Sequence, residues 1–228
     1  MDSQIRTIHE QLKSGQITCK ALIKSKLDLL GCNTHNTVNY LLAEQALEMA
    51  EKVDAKISLG EEIGLLEGIP FGIKDVFMQK GVKSTASSNM LSNYNSPYNA
   101  TAIDKLINAG AIPVVRENCD SFGHGSTSEN TIFGPVLNAV DTSLSAGGSS
   151  GGSAVNVALG NTVFSIGGDT GGSVRQPAGY NRIYGLKPTY GRISRYGLIA
   201  YASSTDCVGP LATSEEDIRI LLNVMSGY

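Results

Sequence analysis

Apolar residues recur at helical spacing through the first third of the chain. Ile5, Ile8 and Leu12 share one face of a helix that Ser14-Gly15 stops. Thr18 is placed to cap a second helix running through Leu30, with Gly31-Cys32-Asn33 as the break after it. Ala43, Ala46, Leu47, Ala50 and Val53 predict a third helix, with Glu48 and Lys52 four apart on its outer side. Residues 1–62 therefore read as a helical N-terminal layer. Beyond Gly64 the pattern changes. LEGIPFGIKDVF (66–77) is short, apolar and punctuated by Gly and Pro, which predicts a buried strand. Thr101 reads as the cap of a helix through Asn108, Gly110 ends it, and AIPVV (111–115) predicts a strand. GGSSGGSAVNVALGN starts with glycines and becomes an Ala/Val helix, and TVFSIG (162–167) predicts another strand. Strands alternating with helices imply crossover connections and a mostly parallel sheet covered by helices, so residues 63–228 read as one α/β unit.

Composition narrows the function classes. With 228 residues, 41% hydrophobic and 17% charged, the chain can bury a sizeable core. A net charge of −3 without a basic block argues against direct nucleic-acid binding. Cys19, Cys32, Cys119 and Cys207 lie far apart, with neither a CxxC nor a Cys/His cluster, so no metal site is expected. MDSQIRTIHEQLKSG is charged and helical in pattern, unlike a signal peptide, and no apolar run approaches a membrane span. A soluble protein from a reducing compartment is the expectation.

The chemistry centres on two Gly/Ser-rich turns, GGSSGGS (147–153) and GDTGGS (168–173), either side of an apolar segment. They could be a linker, a phosphate cradle, or two halves of an active site. A linker should separate autonomous units, whereas this stretch runs directly into a helix. A phosphate loop needs a Lys after its glycines, and a dinucleotide site needs a strand immediately before the turn; neither is present. A serine nucleophile needs a base, and of the three histidines only His124, in SFGHGSTSEN, could lie near a site. Lys74 is the other candidate. Strand alternation puts Lys74 and Gly72 on one face and Ile73 and Asp75 on the other. Burial would lower the lysine's pKa and make it a usable base; alternatively its head reaches water or a remote carboxylate. GDTGGS could present successive N–H groups to a developing oxyanion, with Ser173 at its end. DTG also opens an aspartic-protease loop, but no second DTG or DSG exists.

Taken together, GIPFGIKD, GGSSGGSA, GDTGGSVRQPA and GLKPT resemble the amidase signature family. Lys74 and Ser149 stand 75 positions apart and Ser149 and Ser173 stand 24 apart, as that family's pattern requires. The resemblance implies the amidase-signature fold and a Ser-cisSer-Lys triad. Ser173 would be the nucleophile, Ser149 in a cis peptide the relay, and Lys74 the base. Thr170, Gly171, Gly172 and Ser173 would form the oxyanion hole, and Gly125 and Ser126 would lie at the substrate pocket. GLKPTYGRISRYGLIAYASS (185–204) and RQPA resemble the branch that supplies ammonia to tRNA-dependent amidotransferases. That branch implies glutamine as substrate, the amidotransferase's B and C subunits as partners, ATP and Mg2+ used by the partner, tRNA bound mainly through the B subunit, and a cytoplasmic or organellar location. No cofactor is implied for this chain. Cys119, Ser121, Gly123 and His124 depart from the family pattern beside the glutamine pocket, and Arg182 replaces a small residue close behind the nucleophile turn. The family core is roughly twice this length, so an incomplete sheet at the C-terminus, and a fragment or truncated product, are expected. A stand-alone amidase on small amides and a non-catalytic product are the alternatives.

Overall fold

The structure, a computed structural model, describes residues 2–227. A six-stranded sheet has the order β1-β3-β2-β4-β6-β5. Its strands are β1 (Val38–Leu41), β2 (Pro70–Lys74), β3 (Ile112–Glu117), β4 (Phe164–Asp169), β5 (Tyr184–Gly185) and β6 (Cys207–Ala212). The three central strands β3, β2 and β4 run parallel, and β1, β6 and β5 attach antiparallel. The sheet is thus mixed, and its parallel strands β2 and β3 are buried at every position, as parallel strands require cover on both faces.

Alternation along the central strands sorts apolar from polar positions. Phe71, Ile73, Phe164 and Ile166 enter one core, with Phe71 and Phe164 stacked at 5.1 Å between ring centroids. That core also takes Ile5 of α1 (Gln4–Lys13), Ile103 and Leu106 of α4 (Thr101–Asn108), and Leu221 and Met225 of α7 (Glu215–Met225). The opposite face carries Gly72, Lys74, Ser165 and Gly167. It is covered by α5 (Gly151–Ala158) and α6 (Arg175–Tyr180), which meet through Ala154, Val157, Val174, Ala178 and Leu211. A separate core joins α2 (Cys19–Cys32) and α3 (Ala43–Ser58) to β3 through Ile23, Leu30, Ala46, Ala50, Ile112 and Val114.

Three local expectations need correction. Helix α2 does not break at Gly31; buried Leu30 holds its last turn, and the chain leaves at Asn33, which adopts a left-handed φ of 41°. Thr18 does cap it, accepting from the Ala21 N–H. Thr101 does not cap α4: it is the first helical residue, after Ala100, whose N–H is held by the Met78 carbonyl at 2.7 Å. Residues 38–41, read as part of a helical layer, form edge strand β1 beside β3.

Asp75 and Arg116 form a fully buried ion pair, with the guanidinium Nη2 2.9 Å from Oδ1. Nη2 also donates to the Phe77 carbonyl at 2.6 Å, and Asp75 accepts from the Thr85 N–H and from Asn39. The pair fixes the exit of β2 immediately after Lys74. Among the described residues no helix is long and apolar enough to cross a membrane. Replacing Arg116 by Met would leave Asp75 buried without its cation, and is expected to lower unfolding free energy by about 3–5 kcal/mol in urea titration.

Candidate active site

Lys74 ends β2 on the face covered by α5, and its side chain is 1% exposed. Its ammonium nitrogen lies 2.6 Å from Ser149 Oγ and 3.4 Å from the Gly168 carbonyl. Burial holds the amine below the usual lysine range, against the opposing charges of Asp120, Asp169 and Asp206. Asp75, next in sequence, is committed to Arg116 on the other side of the strand.

Ser149 sits in the first Gly/Ser turn, and the Gly148–Ser149 peptide is cis. Close packing explains the glycines. A Cβ on Gly148 would collide with Asp120 Oδ2, one on Gly151 with Ser128 Oγ, and one on Gly152 with the Asn118 carbonyl. The stretch is the tightly packed start of α5, which removes the linker reading. Ser128 clamps the turn, donating to the Gly147 carbonyl at 2.9 Å and accepting from the Gly151 N–H at 3.0 Å. Gln176 Oε1 accepts from the Gly148 N–H at 3.2 Å.

The second turn follows β4. Asp169, buried, accepts from the N–H groups of Gly172, Val174 and Arg175 and pairs with the Arg175 guanidinium at 2.9 Å. Burial alone would raise its carboxyl, but these hydrogen bonds hold it below the usual range. Gly172 has φ +130°, a conformation that L side chains rarely adopt, so the sharp turn needs glycine there. Thr170, Gly171, Gly172 and Ser173 line a cavity of about 550 Å³, together with Gly123, Gly125, Ser126, Gly148, Gln176 and Tyr201. The Gly172 N–H is already donated to Asp169 at 2.8 Å. That leaves Thr170, Gly171 and Ser173 as the turn's candidate donors to an oxygen in the cavity, a correction to the four-donor expectation. Ser173 is tied to the first turn through its carbonyl, which accepts from the Ser150 N–H at 3.1 Å. Its hydroxyl has no hydrogen-bond partner among the described residues. Lys74 and Ser149 line a smaller pocket that shares Gly123, Thr170 and Tyr201 with the main cavity. One site therefore gathers a buried amine, two serines and a turn with unengaged N–H groups, which is the equipment of acyl transfer.

The remaining candidates separate. His124 is exposed, and its ring lies against Tyr201, 4.1 Å between centroids, at the cavity's rim. His9 and His35 do not line the cavity. Cys119 is buried, and its thiol is pushed up to about 11 by that burial, which disfavours a thiolate nucleophile. Arg182 is exposed, in a turn with φ 58°, so its bulk does not enter the packing behind Ser173. Among the described residues no cluster of His, Cys, Asp or Glu is suited to a metal ion.

Sequence reasoning missed Ser128, Tyr201, Asp206 and Glu117. Glu117 is wholly buried over Gly72, where a Cβ would collide with its Oε1. Oε1 accepts from Ser165 of β4 at 2.8 Å and from Asn156 of α5 at 3.1 Å, so this carboxyl fastens the helix behind Ser149 to the sheet.

The amidase family model matches residues 31–228, and the chain belongs to that family. It is 47% identical, over 99% of its length, to the A subunit of glutamyl-tRNA(Gln) amidotransferase from Trichormus variabilis, and covers 47% of that protein. The corresponding protein from Thermotoga maritima matches at 44% identity with a TM-score of 0.71, over 74% of this chain and 37% of that one. A chain from a vestigial complex that bears on the origins of an s-triazine catabolic enzyme matches at 35% identity and a TM-score of 0.95, over 100% of this chain and 50% of that one. The chain thus spans about half the length of the curated relatives it matches.

Burial pushes the Glu117 carboxyl up to about 7, against the hydrogen bonds it accepts and the Arg116 charge. The folded state then holds a proton that the unfolded chain has released, so this group's contribution to stability falls as pH rises from the ordinary glutamate range through about 7. Glu117→Gln removes the titration: wild type should lose roughly 2–3 kcal/mol relative to the variant between pH 5 and 8, read by urea unfolding at both pH values.

Proposed function

We propose that this chain carries the amide-hydrolysing centre of a glutamine-dependent amidotransferase, with Ser173 as nucleophile, Ser149 as relay and Lys74 as base. The observation that carries the reading is the 2.6 Å contact between Lys74 Nζ and Ser149 Oγ beside a cavity lined by Ser173. Ser173 Oγ attacks the carboxamide carbon; its proton passes to Ser149 as the Ser149 proton passes to the neutral Lys74 amine. The oxyanion takes the N–H groups of Thr170, Gly171 and Ser173. When the tetrahedral adduct collapses, the C–N bond breaks, a proton returned along the relay completes ammonia, and an ester to Ser173 remains. Water then attacks that ester, giving its proton to the relay; the ester C–O bond breaks, the relay returns the proton to Ser173 Oγ, and glutamate is released.

The relatives named as the A subunit of glutamyl-tRNA(Gln) amidotransferase support glutamine as the amide donor. On this reading the ammonia passes to a B subunit that binds tRNA and uses ATP and Mg2+, with a small C subunit bracing the pair in the cytoplasm. This chain needs no cofactor of its own, and a net charge of −3 is compatible with tRNA and ATP belonging to the partner. One observation favours a second reading, a stand-alone amidase on small neutral amides. Among the described residues, none that lines the cavity carries a charged side chain to pair with the ammonium and carboxylate of free glutamine.

Ammonia release should be compared for glutamine and a neutral primary amide of similar size, in wild type and in Ser173→Ala. The variant is expected to lose the release by roughly 10⁴-fold or more; equal release from both proteins removes the assignment. A preference for the neutral amide selects the second reading. Because Lys74 acts as the neutral amine, the rate should rise with pH along a limb whose midpoint lies below the ordinary lysine range. Lys74→Arg, which stays protonated, should be inactive across that range.

A further inference from the structure

Tyr201 lines both the cavity and the smaller pocket beside Lys74, yet the relay makes no use of it. What fixes it is Asp206, 3% exposed, just before β6. Asp206 Oδ2 accepts from the Tyr201 N–H at 3.0 Å, and its two oxygens accept from the Ala202 N–H at 3.1 and 3.2 Å. These bonds alone would make an ordinary local turn. The remaining bond does not belong to that turn: Thr170 Oγ1 donates to Asp206 Oδ1 at 2.5 Å, across 36 positions. Thr170 opens the GGS turn that lines the cavity, and His124 leans on Tyr201 from the other side. One buried carboxylate therefore holds two walls of the same cavity that come from separate loops.

We propose that Asp206 is a positioning residue that couples the oxyanion turn, through the Thr170 hydroxyl, to the Tyr201 wall. The wall touches the part of an amide substrate that flanks the scissile group, so the bond sets the separation between that part and the reacting carbonyl. Tyr201 then determines which acyl chain is accepted, and Thr170 transmits its position to the turn. The inference rests on the function proposed above, and its test keeps the two apart.

Thr170→Val replaces the hydroxyl by a methyl group of similar shape, and Asp206→Asn removes the charge and one acceptor oxygen. For hydrolysis of the amide that wild type turns over, Thr170→Val should lower kcat about 10- to 100-fold with KM within about threefold, because donors leave the oxyanion while ground-state contacts stay. Thr170→Ser should restore kcat. The double variant should be no slower than Asp206→Asn, since both changes break one link. The pH profile separates coupling from charge. Loss of the Asp206 charge moves the acid limb to lower pH, as that charge favours the protonated lysine, whereas Thr170→Val leaves the limb in place. Wild-type kcat in Thr170→Val, or losses that multiply in the double variant, overturns the proposal. If wild type hydrolyses no amide, the functional reading fails and hydrogen exchange still decides the coupling. Thr170→Val is expected to speed exchange of the Tyr201 and Ala202 amides by about tenfold; unchanged exchange there overturns it.

Discussion

A primary amine held inside the protein at the end of its central strand, bonded to a serine hydroxyl, is the constraint around which the site is arranged. β2 lies between two parallel neighbours, so its side chains have no route to water, and Lys74 has no ion-pair partner among the described residues. An ammonium is disfavoured there by loss of hydration, and the neutral amine is a hydrogen acceptor aimed at Ser149. The strand cannot shift to relieve this. Gly72 is pinned under Glu117 and Ser165, and the chain after Lys74 is clamped by the buried Asp75–Arg116 pair. The sheet thus holds the amine where a lysine on a mobile loop would find water.

The neighbouring turns impose an opposing demand. Glycine-rich turns with unengaged N–H groups do not hold their shape unaided, and here buried carboxylates hold them. Asp120 accepts from the Ser128 and Asn130 N–H groups, Asp169 from the 172–175 segment, and Asp206 from Thr170 and the 201–202 loop. The same three carboxylates pull the Lys74 pKa upward while burial pulls it down, and burial is the larger influence. Their backbone hydrogen bonds, and the Arg175 partner of Asp169, absorb part of their charge. The site can therefore be rigid without returning its base to the protonated state.

This division explains what the sequence disclosed. Lys74, Ser149 and Ser173 were legible because each lies in a motif of constrained residue types at fixed spacing, and period-two alternation placed Lys74 opposite Ile73. The α/β class was legible from the apolar segments, but not the antiparallel attachment of β1, β6 and β5. β1 is four residues long and pairs with a strand far along the chain, so nothing local marks it. The end of α2 was misplaced because burial of Leu30 outweighed the glycine after it. Glu117 and Asp206 were missed because an isolated acid in RENCD or STDCV reads as a solvated surface residue. Only the three-dimensional packing shows the first over Gly72 and the second between two cavity walls.

On the function proposed, the described residues are equipped for bond-making more than for substrate recognition. The groups that the proposed acyl-transfer scheme uses lie between Lys74 and Ser173, at the end of β2, in the turn before α5 and in the turn after β4. The cavity around those groups is lined by glycines, hydroxyls, a glutamine amide and one tyrosine, which can orient an amide but cannot read the charges of an amino acid. On the function proposed, a surface of this kind leaves the acyl chain nearly unspecified. Selection among amides would then fall, on the inference drawn above, on Tyr201 and on the carboxylate that ties its backbone to the Thr170 turn. On the function proposed, the turn that would serve the reacting serine and the wall that would select its substrate are joined at Asp206.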